Sequence, residues 1–278
     1  MRSIAKKTDD KVRAPENRRI TFDGGLDIQL RSAPIGFAYR DGVFGPVPEL
    51  RTLEAIRPSL RDHNCDGPDP VYVIAMDVGR MEHRKELQKR MLLFGVVVCA
   101  SGKLGEEPVR SQGHVHAVAP HCGWSTPELI EVWQGRALVY LQQFTSENPG
   151  RCIAIEAGPG DQVVAPPGWA HCVINADAHA EMVFGAWCDR QYGFVYDEIR
   201  ARGGLAWFPT LEEDGDVTWK PNRGYSTSSL LRKSARPYPE LGISGTIPIY
   251  DQFAHNPDSV QWVSEPARVA RVWQFFEC

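Results

Sequence analysis

No apolar run in this sequence reaches the roughly eighteen residues that a bilayer-spanning helix needs. The longest, residues 91–100 (MLLFGVVVCA), stops far short, so no membrane span is expected. The start, Met1-Arg2-Ser3-Ile4-Ala5-Lys6-Lys7, is followed by no apolar core, which argues against a secretory leader. Basic excess is missing too. There are 31 Lys and Arg against 35 Asp and Glu, a formal charge of −4, which speaks against a nucleic-acid partner. Cys-x-x-Cys pairs are missing: the seven cysteines, at 65, 99, 122, 152, 172, 188 and 278, are odd in number and scattered. Reduced thiols in a cytoplasmic setting are the simplest expectation. No internal repeat is found, so one barrel unit rather than two is expected.

What is present is enough for a packed core, with 42% hydrophobic and 24% charged residues. The apolar pattern is that of strands. Residues 71–78 (VYVIAMDV) and 91–100 read as buried strands. Residues 128–141 carry a Gln-Gly-Arg turn between two apolar arms and read as a hairpin. Short strands are expected over 152–156, 162–165, 172–174 and 182–188, separated by Gly, Pro, Asn and Asp. That cadence indicates an all-β sandwich or barrel. One helix is expected over 196–202, ended by Gly203-Gly204. The expected organisation is an N-terminal arm over 1–60, a barrel over 61–225 and an extension over 226–278. The extension holds Tyr250, Phe253, Trp262, Trp273, Phe275 and Phe276, aromatic surface that should be buried on the barrel or across a dimer interface.

Residues 113–175 carry the chemistry. Gly113-His114-Val115-His116 sets two imidazoles two residues apart, and residues i and i+2 of a strand share a face. Glu128 and His171 would complete the set from neighbouring strands. Three imidazoles and a carboxylate suit a divalent first-row metal such as Fe²⁺, Mn²⁺, Ni²⁺ or Zn²⁺. On an octahedral ion such a set leaves positions for substrate oxygens, which favours a catalytic centre over structural zinc.

The spacing of these residues resembles the two motifs of the cupin superfamily. His114, His116, Glu128 and Gly135 follow the first motif. Gly160, Pro166, Gly168, His171 and Asn175 follow the second. The resemblance implies a single jelly-roll β-barrel with extensions at both ends. It narrows at Ser111-Gln112-Gly113-His114-Val115-His116, at Pro166-Pro167-Gly168-Trp169-Ala170-His171 and at Asp189-Arg190-Gln191-Tyr192-Gly193. These segments look like the cupin-type, archaeal-type phosphoglucose isomerases. That family interconverts glucose 6-phosphate and fructose 6-phosphate, uses one divalent metal, with iron the leading expectation, and is typically dimeric. By resemblance, His114, His116, Glu128 and His171 would be metal ligands. Ser111, Gly113 and Arg190 would lie near the substrate, and Tyr192, at the pocket mouth, would join Glu128 as a catalytic residue. The chain departs from the family in three places. The gap over 117–127 is longer, Ile130 replaces a tyrosine, and Arg190 stands where a histidine is usual.

The chemistry expected of such a site is movement of a proton between C1 and C2 of an open-chain sugar phosphate. Glu128 is the candidate carrier, and a direct hydride shift is the other route. Ser111, Lys103, Arg110 and Arg190 are nearby donors for a phosphate. The competing readings are a cupin dioxygenase, which an apolar pocket would favour, another metal-dependent enzyme on a different small substrate, and a non-enzymatic sugar-binding cupin.

Overall fold

Apolar runs bounded by Gly, Pro and charge become strands buried on both faces. The computed structural model describes residues 20–226 and 228–278. Residues 1–19, the first part of the expected N-terminal arm, lie outside them. Eight strands carry the barrel: β1 Tyr72–Arg80, β2 Leu92–Cys99, β3 Glu128–Gln134, β4 Ala137–Gln142, β5 Cys152–Ala157, β6 Gln162–Ala165, β7 Ala170–Asn175 and β8 Met182–Asp189. The first sheet runs β6-β3-β8-β2-β1, and the short strands Val43–Phe44 and Glu49–Arg51 both pair with β1. The second runs β7-β4-β5 and is extended by Leu230–Ser234, parallel to β5. Apolar side chains from both sheets, among them Ile74, Val97, Ile130, Val139, Ile153 and Val173, share one core. The fold is the expected all-β cupin barrel.

The expected hairpin over 128–141 is not one. β3 belongs to the first sheet and β4 to the second, so the turn at Gly135 carries the chain across the barrel. The strands give the reason. Both arms are buried almost throughout, without the in–out alternation of a half-exposed hairpin. Gly135 turns at φ +85°, and a side chain there would crowd the Met182 backbone. The expected helix forms as Asp197–Ala201 and ends in the left-handed Gly203.

Alternation along β3 separates its two carboxylates. Glu128 faces the barrel interior. Glu131, three residues on, faces outward and receives Ile249 N–H at 2.9 Å. Helix Ile249–His255 lies on that outer face. Trp187 of β8 stacks on Tyr250 with ring centroids 5.4 Å apart, and its Nε1 donates to the Ile249 carbonyl at 3.1 Å. The C-terminal segment thus covers the first sheet's outer face, and for that reason β2 is buried at every position.

Candidate metal centre

His171 comes from β7 in the second sheet and Glu128 from β3 in the first. The segment carrying His114 and His116 lies between them. It is tied to β7 by reciprocal backbone bonds, His114 N to His171 O at 3.0 Å and His171 N to His114 O at 2.9 Å. On its other side Val115–His116 pairs with Phe194–Val195. Gly113 supplies the bend into this segment at φ +88°, where a Cβ would meet Leu205.

The four side chains converge. Their ligand atoms all lie within 4.8 Å of one another. Glu128 Oε2 is 2.9 Å from His171 Nε2, 3.2 Å from His116 Nε2 and 3.9 Å from His114 Nε2. His116, Glu128 and His171 are buried. The outer nitrogens are accounted for by carbonyls. His116 Nδ1–H donates to Thr126 O at 2.9 Å, and His171 Nδ1–H donates to Trp169 O at 3.1 Å. Such bonds fix the tautomer that leaves the Nε2 lone pair pointing inward. His114 Nε2 and His116 Nε2 are buried with no aligned hydrogen-bond partner, which is costly unless something binds them. Burial, reinforced by the neighbouring His171 and His116, holds the His114 imidazole well below its usual pKa and therefore neutral. Burial opposes ionisation of Glu128, yet the His116 and His171 contacts outweigh it, and the carboxyl sits well below its ordinary range. A neutral His114, two further imidazole nitrogens and an ionised carboxylate aimed at one point fit a divalent cation.

The longer 117–127 segment supports this cluster. Val118–Ala119 and Trp124–Ser125 pair as a small ribbon. Thr126 supplies the carbonyl for His116, and Ser125 Oγ donates to the His116 carbonyl. His121 anchors the segment outside the cluster, with Nε2 3.0 Å from Ser264 O and 3.2 Å from Asp189 Oδ2.

A cavity opens beside the cluster. His114, Glu128 and His171 form one part of its wall, and Ser111, Gln112, Tyr72 and Tyr196 add polar groups. Ile74, Met76, Val97, Val173, Phe184 and Phe194 make the remainder largely apolar, and no Lys or Arg lines it among the described residues. Ser111 Oγ accepts from Val173 N at 3.0 Å, which leaves its hydroxyl hydrogen free to donate. The other expected phosphate donors are engaged elsewhere. Lys103 donates to Leu211 O at 2.8 Å, buried Arg110 pairs with Glu107 at 2.8 Å, and Arg190 pairs with Asp77 at 2.6 Å. Arg190 is not in the cavity wall. Tyr192 lies behind it, its ring 4.7 Å from Phe194 and 6.5 Å from His116, with burial pushing its hydroxyl up to about 12. Tyr72 and Tyr196 were not singled out by sequence reasoning, and Gln112 entered only as part of the polar Ser111-Gln112 pair that favours a sugar.

Comparison with known proteins agrees with this geometry. The family model described as glucose-6-phosphate isomerase (GPI) matches residues 51–227. A glucose-6-phosphate isomerase of Thermococcus kodakarensis is 30% identical over 200 residues, covering 69% of this chain and 91% of that one. One from Pyrococcus furiosus is 29% identical over 149 residues, covering 54% of this chain and 70% of that one. A solved oxalate oxidase aligns at TM-score 0.33 and 15% identity, over 45% of this chain and 54% of that one, a likeness too slight to argue from. The chain belongs to the cupin-type glucose-6-phosphate isomerase family, a family of enzymes.

Proposed function

We propose that this protein is a metal-dependent aldose–ketose isomerase that interconverts glucose 6-phosphate and fructose 6-phosphate. The observation that carries the reading is the convergence of His114, His116, Glu128 and His171 within 4.8 Å at the wall of the cavity. Those four residues would hold one divalent ion, Fe²⁺ first, with Mn²⁺, Ni²⁺ or Zn²⁺ as alternatives. A cation there supplies Lewis-acid stabilisation of negative charge developing on the sugar oxygens.

The chain's own residues do the rest. Glu128, which lines the cavity and whose Oε2 the imidazoles surround, is the group that carries a proton between C1 and C2. Ser111 donates its free hydroxyl hydrogen to a substrate oxygen. The apolar wall excludes water from the reacting carbons, and Gly113, itself outside the cavity lining, bends the chain so that His114 faces the cavity. Tyr192 supports the pocket through Phe194. The proposal includes a homodimer working in the cytoplasm on a small-molecule substrate. No helix among the described residues is long and apolar enough to cross a membrane.

The apolar wall of Ile74, Met76, Val97, Val173 and Phe184 favours one second reading, a cupin dioxygenase acting on a less polar chelating substrate. The two separate in one experiment. Protein stripped of metal and refilled is assayed in parallel for fructose 6-phosphate formation and for O₂ uptake. Metal-restored isomerisation without O₂ uptake is expected. O₂ uptake without isomerisation supports the dioxygenase.

A further inference from the structure

One donor in the cavity wall has no acceptor. Gln112 is 4% exposed, and its Nε2 is buried without a hydrogen-bond partner. Its orientation is fixed rather than free. Arg200 donates to Gln112 Oε1 at 2.9 Å, and a guanidinium has only donors, so the amide must turn its oxygen to Arg200 and its NH₂ away. Leaving a buried N–H unsatisfied is unfavourable, and an oxygen of a bound molecule would relieve it.

Positive charge gathers at the same place. Arg200 is exposed and lies over the Tyr196 ring, 4.9 Å from its centroid. Arg51 arrives from the other side. It pairs directly with Tyr72 across the strands, and directly paired residues share a face of a sheet. Arg51 therefore stands on the cavity face of the sheet, and its charge is felt at Tyr72, Tyr196 and His114. Its partner is Glu49, at 2.9 Å, with the Glu49 side chain 68% exposed. So exposed an ion pair contributes little and is readily exchanged for another anion.

We propose that Gln112, Arg51 and Arg200 form the subsite for the anionic end of the substrate at the cavity mouth. Gln112 Nε2 donates to one of its oxygens, Arg51 leaves Glu49 to pair with its charge, and Arg200 is a positioning residue that orients the amide. This rests on the sugar-phosphate reading above and deepens it. It also explains how an anion can be accepted by a cavity whose wall, among the described residues, holds no Lys or Arg.

The test is calorimetric binding of glucitol 6-phosphate and of glucitol, open-chain probes that cannot isomerise, to metal-loaded wild type and to Gln112→Leu, Arg51→Gln and Arg200→Gln. Wild type is expected to prefer the phosphorylated probe by about a hundredfold. Each variant is expected to lose about tenfold of that preference, the factor for one charge-assisted hydrogen bond. Affinity for glucitol, metal content and the unfolding midpoint should stay near wild type, as they would not if the residues were merely structural. Equal affinity of wild type for both probes, or an intact preference in the variants, overturns the subsite. The isomerase reading is judged separately. Turnover of glucose 6-phosphate with unchanged KM in the variants sinks the subsite alone. Probe binding that depends on these residues, without turnover of any aldose phosphate, keeps the subsite and sinks the isomerase.

Discussion

Glu128 and Glu131 lie three residues apart on one strand and have opposite fates. Glu128 faces three imidazoles and ionises far more readily than an ordinary glutamate. Glu131 faces the C-terminal segment. Burial pushes its carboxyl up to about 7, despite donors from Trp133 Nε1 at 3.0 Å, Ile249 N at 2.9 Å and Gln162 Nε2 at 3.3 Å. The sign follows from linkage. A folded-state pKa raised above the unfolded value means the folded protein binds the extra proton. Stability therefore falls as pH rises from the ordinary glutamate range through 7, by about 3 kcal/mol at most. Chemical denaturation at pH 5 and at pH 8 should show that loss, and Glu131→Gln should flatten it. A wild-type stability that rises across the same interval would contradict the assignment.

At the scale of elements, the 117–127 segment acts as a brace. It hands His116 the Thr126 carbonyl, and His121 fastens it to Ser264 in the C-terminal segment and to Asp189 at the end of β8. His121→Ala should speed hydrogen exchange across 117–127 and weaken metal binding about tenfold, the scale of a lost outer-shell contact. Unchanged exchange would show that the brace is held elsewhere. The cluster was legible in the sequence because strand periodicity places His114 with His116, and the motif spacing brings Glu128 and His171 to them. The hairpin over 128–141 was misread because membership of a sheet is decided by distant partners: Ala186 for Ile130 and Val173 for Val139. Tyr72, Arg51 and the orphan amide of Gln112 were illegible for the same reason. Their roles come from cross-strand register and from a side chain, Arg200, that lies 88 residues away from Gln112.

Across the whole molecule, the barrel and its C-terminal segment share a core. Tyr250 and Phe253 are fully buried against Trp187 and Phe94, and Asp251 pairs with Arg80 of β1. Removing that cover would expose a sheet face built for burial. Phe253→Ala should cost about 3–5 kcal/mol, as for other buried aromatics. An unfolding free energy within 1 kcal/mol of wild type, about the size of an ordinary surface change, would show that the segment merely rests on the barrel.

The central claim is that the four-residue cluster makes this chain a metal-dependent isomerase, and proton NMR of glucose 6-phosphate turnover in D₂O tests it most directly. Stripped protein refilled with Fe²⁺ should form fructose 6-phosphate with deuterium at the transferred position, while stripped protein and refilled Glu128→Gln should form none. Product formed equally by stripped protein, or none from refilled protein that holds one equivalent of metal, would contradict the account.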